Sequence, residues 1–175
     1  MDNEVKVIGR KIIALADLHH QYVKPIYQEE FWHDDMSVPN SPHVEIMRIF
    51  MKYGFDVNRL KASRYVADKR KRFVLGRKAW TDDYIFNKHL KKRWKVFRLV
   101  KKGFTGWIRP IMILTEPFWK TRFGNTPEWV KGPELWDGHG RASAMYVMGY
   151  YKTEVDVCED AKPGSGQWKK VQKEL

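Results

Sequence analysis

The chain has 175 residues and a formal net charge of +12, from 33 Lys and Arg against 21 Asp and Glu. No apolar run approaches the roughly 18–20 residues that span a bilayer, and Met1-Asp2-Asn3-Glu4 lacks the basic-then-apolar start of a secretory signal. A lone cysteine, Cys158, excludes an internal disulfide and a thiolate metal cluster within one chain. A cytoplasmic protein with no membrane partner is expected.

The positive charge is uneven. Residues 59–102 hold 17 Lys and Arg against three Asp, and the rest holds 16 against 18. A field polarised in this way favours polyanionic partners.

Residues 5–18 carry Val5, Ile8, Ile12 and Leu15 at near-helical spacing, which predicts an amphipathic helix. Val38-Pro39-Asn40-Ser41-Pro42 predicts a loop, with Ser41 capping a helix over residues 43–52 that Gly54 ends. Within the basic stretch 59–78, Lys69-Arg70-Lys71-Arg72 reads as an exposed part of a helix or loop. Thr81-Asp82-Asp83 is a strong helix start, since Thr caps well and carboxylates suit the first turn. That helix is predicted to run to Lys102 and stop at Gly103, with Phe86, Leu90, Trp94, Phe97 and Val100 as its apolar stripe.

After Gly106-Trp107-Ile108-Arg109-Pro110, residues 111–114 read as a short buried strand. Residues 115–134 form a long excursion of a kind that is often functional. Leu135-Trp136 reads as a short strand ending in the turn Asp137-Gly138, residues 141–148 as a small-residue helix closed by Gly149, and residues 154–158 as a strand with Val155 and Val157 on one face. Residues 161–175 read as a polar tail. The expected class is α+β, a small mixed sheet with helices around it, divided into a helical, basic N-terminal extension (1–80), a domain (81–160) and the tail.

The turn Trp136-Asp137-Gly138-His139-Gly140-Arg141 carries the chemistry. Its glycines let the backbone approach a ligand, and the following helix start offers N–H groups to an anion. Arg141 supplies a planar fork matched to phosphate oxygens. His139 moves protons near neutral pH, and Asp137 orients it or helps position a metal. Taken alone, Gly-His-Gly-Arg also fits a plain tight turn.

The order of long helix, Gly-x-x-x-Pro, apolar strand, excursion, strand, Asp-Gly-His-Gly-Arg, small-residue helix and strand resembles the ParB/sulfiredoxin superfamily over residues 81–159. It is most similar to the ParB-like nuclease members with an Asp-Gly-His-x-Arg turn, which are common in bacteriophage genomes. The resemblance implies a site in which Gly106 and Pro110, with Arg109 between them, meet Gly138, Gly140 and Arg141 around a nucleotide or phosphoryl group. His139 and Asp137 would be catalytic. It implies ATP, ADP or CTP as ligand, with Mg²⁺ as a candidate companion, and DNA as a partner. Chromosome-partitioning ParB proteins carry Gly-Glu-Arg-Arg at this turn and sulfiredoxins Gly-Cys-His-Arg, so His139 stands where those have Glu or Cys. Free-serine kinases of the superfamily share the Asp-Gly-His-x-Arg turn more closely.

Three functions are therefore weighed. One is a nucleotide- or nucleic-acid-phosphate-binding protein with phosphoryl-transfer or hydrolytic activity. Another is a small-molecule kinase, for which Glu116, Glu128 and Glu134 are candidate bases. The last is a non-catalytic DNA-binding or inhibitory module. Lys88, Lys91, Lys92, Lys95 and Lys102 are candidates to track a nucleic-acid backbone, and Trp107, Trp119 or Trp129 to stack a base. His19-His20 and His33-Asp34-Asp35 have no metal-site spacing and read as exposed polar residues. His89 and Arg93, one helical turn apart, would reach a phosphate but read first as a solvated helix face.

Overall fold

The computed structural model describes residues 5–20, 37–71, 81–105, 110–115 and 132–160. Within them the chain is α+β, a four-stranded mixed sheet with helices packed on it.

The first segment is a strand, β1 (Val5–Ala14), where apolar spacing predicted a helix. Five β-branched residues (Val5, Val7, Ile8, Ile12, Ile13) and a central Gly9 disfavour helix and suit a strand. The spacing did not report burial either, because Val7, Ile8 and Ile12 are 48%, 47% and 66% exposed.

Ser41 caps α1 (Pro42–Tyr53) as expected, its Oγ accepting from Val44 N–H at 3.2 Å, and Gly54 at φ 68° ends it. Two short helices follow, α2 (Val57–Lys61) and α3 (Arg64–Lys71). Thr81 Oγ1 accepts from Tyr84 N–H and starts α4 (Asp82–Tyr84). The helix continues through a π-helical segment (Ile85–Leu90) into α5 (Lys91–Lys101), and Gly103 at φ 93° lies just beyond its end. No local pattern announces the π segment, a feature that often marks a functional stretch of helix.

Strand β2 (Ile111–Leu114) is buried throughout. β3 (Glu134–Asp137) leads through Gly138 into α6 (His139–Val147), and β4 (Lys152–Asp160) closes the described chain. The sheet order is β1-β4-β2-β3, with β1 antiparallel to β4, β2 parallel to β4, and β3 antiparallel to β2. β1 pairs with β4 along its whole length, so residues from the first 80 and from 81–160 share one sheet.

After β1 the chain passes to the opposite edge of the sheet. His19 N–H donates to Pro133 C=O at 2.9 Å, and Leu135 N–H donates to His19 C=O at 2.8 Å. Residues 18–20 thus lie beside β3, just upstream of the turn.

The main core gathers Leu15, Leu18, Val44, Met47, Phe50, Leu60, Phe97, Val100, Ile111, Leu135 and Val155 between helices and sheet. Met112, Leu114 and Cys158 are buried on the other face, with Trp136 against them. Burial of this apolar surface is the main force holding the helices on the sheet. Among the described residues, no helix is long and apolar enough to cross a membrane.

Candidate functional site

The turn from β3 into α6 depends on glycine at two positions. Gly138 sits at φ 93°, and a Cβ there would lie 2.9 Å from Ile111 Cγ1. Gly140 is buried in the first turn of α6, and a Cβ there would lie 3.0 Å from an Arg93 Nη atom and 3.2 Å from Arg93 Cδ. Only a bare backbone lets α5 and β2 approach the start of α6 this closely. No side chain caps α6. Its first N–H groups have no acceptor within the helix and carry the positive end of the dipole.

Arg141 is buried, 7% exposed, and is used inside the fold. Its Nη2 donates to Pro110 C=O at 3.4 Å and lies 3.8 Å from Asp137 Oδ2. The guanidinium tucks under the bend and ties the β2 entrance to the turn. This joins the two loops that the sequence reading brought together, at Pro110, Asp137, Gly138 and Arg141. Gly106 and Arg109 lie outside the described residues.

The basic groups above the turn come from elsewhere in the chain. His20, expected on the surface, is 2% exposed. Its Nδ1 is 2.8 Å from His139 Nδ1, and its ring lies parallel to His43 with centroids 4.3 Å apart. His43 is 6.0 Å from the His139 ring and meets the edge of Tyr65 at 5.1 Å. Lys69, also expected to be exposed, is 6% exposed, with Nζ over the Tyr65 ring at 5.2 Å. Arg93 is partly buried against Gly140 rather than on a solvated face.

Electrostatics follow from this crowding. Burial pushes the His43 imidazole well below its ordinary range, and nearby His20, Arg93, His139 and Lys69 push it the same way. All of these neighbours are basic. Tyr65 Oη and Arg93 Nε are buried with no hydrogen-bond partner among the described residues. A buried donor left unmade costs about 1–3 kcal/mol, so an acceptor that reached them would be bound favourably.

With His20 neutral, one arrangement of the imidazole protons satisfies these contacts. Ser143 Oγ donates its only proton to His139 C=O at 2.9 Å, so toward His20 Nε2, 3.4 Å away, it is an acceptor. Neutral His20 then carries its proton on Nε2 and presents a bare Nδ1. His139 donates Nδ1–H to it, which makes Nε2 the basic nitrogen of His139.

The remaining predicted residues are dispersed. Lys88, Lys91, Lys92, Lys95 and Lys102 are exposed along the long helix. Glu134 is buried at the start of β3, the end of that strand away from the turn. Trp107, Glu116, Trp119, Glu128, Trp129 and His33-Asp34-Asp35 lie outside the described residues. Among the described residues, no three His, Cys, Asp or Glu side chains are placed to hold a metal ion. The His20 and His43 rings lie face to face rather than converging on a point. The described groups therefore offer no ready set of ligands for a protein-held Mg²⁺.

Sequence reasoning had His139 and Gly140 but missed His20, His43, Tyr65 and Lys69. The weak signal available was the His-His pair directly after the first apolar segment. Searches of protein-family models, curated proteins and solved structures return no match for the chain.

Proposed function

We propose that this chain is a ParB-like phosphate-handling protein that binds a phosphate group of a nucleotide or nucleic acid at the start of α6. One observation carries the reading: Arg93 packs against Gly140 in the first turn of an uncapped helix that begins at His139, and His20, His43 and Lys69 add basic groups around it. Preorganised N–H groups and cations of this kind favour negative charge, most strongly where water is excluded.

The phosphate oxygens would take the first N–H groups of α6 and the Arg93 guanidinium. Tyr65 Oη would supply a further donor. His139 Nε2 would accept a proton from an attacking hydroxyl or water, or return one to the leaving oxygen. His20 would hold the His139 ring and share the charge as it develops. Arg141 would act on the turn by bracing it against Pro110, without touching the phosphate.

The test is a thermal-shift series with inorganic phosphate, ATP, ADP and CTP, with and without Mg²⁺, followed by turnover assays with water or hydroxyl acceptors. A ligand that binds only the folded chain raises its melting point. At least one of these anions should do so, and Arg93→Gln should remove the shift. A melting point indifferent to all of them would refute the proposal. Binding that survives in His139→Asn while turnover is lost would place His139 in the chemistry.

A further inference from the structure

A second surface lies on the side of α5 opposite Arg93. At 100° per residue, Lys91, Lys95, Arg98 and Lys102 fall in one narrow stripe. All of them are exposed, and α5 contains no acidic residue. The stripe spans about 16 Å along the helix axis.

These cations rim a groove of about 630 Å³ whose apolar wall is Phe55, Trp94 and Leu99. A neighbouring cavity of about 590 Å³ shares Trp94, Arg98 and Lys102 and adds Phe50 and Met51. Trp94 is held rigidly. Its ring stacks on buried Phe97 at 5.5 Å and 10°, and it meets Phe50 at 5.0 Å and Phe55 at 6.2 Å. The groove therefore joins a fixed aromatic platform to a line of cations one helical turn apart.

We infer that this groove binds single-stranded nucleic acid, its phosphates along the Lys91–Lys95–Arg98–Lys102 stripe and its bases against Trp94 and Phe55. Charge selects a polyanion. The aromatic wall selects one whose flat faces are exposed, which a base-paired duplex does not offer. The site is separate from the α6 turn and stands whether or not that turn binds phosphate.

The experiment is fluorescence anisotropy of the full chain with labelled oligothymidylate and with a duplex of equal length, over a range of salt. The single strand should bind more tightly. The logarithm of its affinity should fall with the logarithm of salt at a slope of about −3, as four phosphate contacts give. Lys91→Gln/Lys95→Gln should reduce that slope by about 1.4, and it should leave any phosphate-induced thermal shift at the α6 turn unchanged. Trp94→Leu should weaken single-strand binding roughly 5- to 150-fold. Because Trp94 also packs on the core, Phe55→Leu provides a second aromatic test. Duplex binding as tight as single-strand binding overturns the inference. So does an unchanged slope in the exposed-lysine variant, or affinity indifferent to both aromatic substitutions.

Discussion

Replacing His43 by glutamine should flatten the dependence of stability on pH below neutrality. In the fold, burial and the basic groups of His20, Arg93, His139 and Lys69 hold His43 neutral well below its ordinary range. In the unfolded chain it titrates near pH 6.5. Between the two values the unfolded state binds the extra proton, so stability rises with pH there. This contribution is present above pH 6.5 and is lost as pH falls from 6.5 toward the folded value. Between pH 7.5 and 5.5 the loss amounts to about 1.4 kcal/mol if His43 stays neutral in the fold. For a chain of this length that is about 3–6 °C in Tm. The assay is thermal unfolding of wild type and His43→Gln at pH 7.5, 6.5 and 5.5 in a non-binding buffer. The other five histidines are common to both proteins, so the difference in slope reports His43 together with its coupling to His20 and His139. Parallel Tm-against-pH lines would refute the reasoning. Such a result would mean that His43 accepts its proton in the fold as readily as in water.

Further substitutions separate the parts of the site. Gly140→Ala should change stability by no more than about 1 kcal/mol, because the better helix propensity of alanine is set against the crowding of its Cβ on Arg93. Its Cβ, 3.0 Å from an Arg93 nitrogen, should displace that side chain and weaken phosphate binding about tenfold or more, read by thermal shift. Gly138→Ala should instead destabilise the fold by more than the roughly 1–3 kcal/mol of a strained left-handed residue, because it also meets Ile111 at 2.9 Å. Gly149→Ala is the control, with φ 85° but nothing within 4 Å of the new Cβ; denaturant melts of the two variants give the comparison. Ser41→Ala should cost about 0.5–2 kcal/mol in the same assay, since it removes the cap of α1. Arg141→Met should lower Tm by loosening the turn from Pro110, and an unchanged Tm would show that the buried guanidinium braces nothing.

Legibility in the sequence followed the range of the interaction. The α1 cap at Ser41, the helix start at Thr81, the stop near Gly103 and the glycine turn at 138–140 are local events, and each was readable from a few adjacent residues. At β1, spacing and residue type point to different structures, and residue type prevails. Its apolar side chains repeat at helical intervals yet are β-branched, and three of them face solvent. The basic site was legible only at its centre. His20 reaches His139 from 119 positions away, after the chain crosses from one sheet edge to the other. No local pattern encodes such a meeting. Lys69 reads as part of a solvated charge run because its neighbours Arg70 and Lys71 hide which face of α3 turns inward. The π segment also lies between the capped start of the long helix and Arg93. A regular α-helix counted from Thr81 would therefore assign Arg93 the wrong phase.

The burial of Arg141 changes what the motif means. An arginine beside a glycine turn invites the reading that it grips the ligand, yet here its guanidinium is held by Pro110 and Asp137 under the bend. The cation packed against the first turn of the helix is Arg93, whose buried Nε has no hydrogen-bond partner among the described residues. On the proposed reading the two arginines divide the work, one fixing the backbone that would offer N–H groups and the other meeting the anion's charge. Arg141→Lys and Arg93→Lys should separate these roles. A lysine at 141 keeps the charge but loses the guanidinium whose Nη2 meets both Pro110 C=O and Asp137 Oδ2, so Tm should fall. A lysine at 93 keeps the charge near Gly140, so Tm should hold while phosphate affinity drops by about tenfold as the multi-donor contact is lost. If the two variants behaved alike in both assays, the division would be wrong and the turn would act as a single undivided charge cluster.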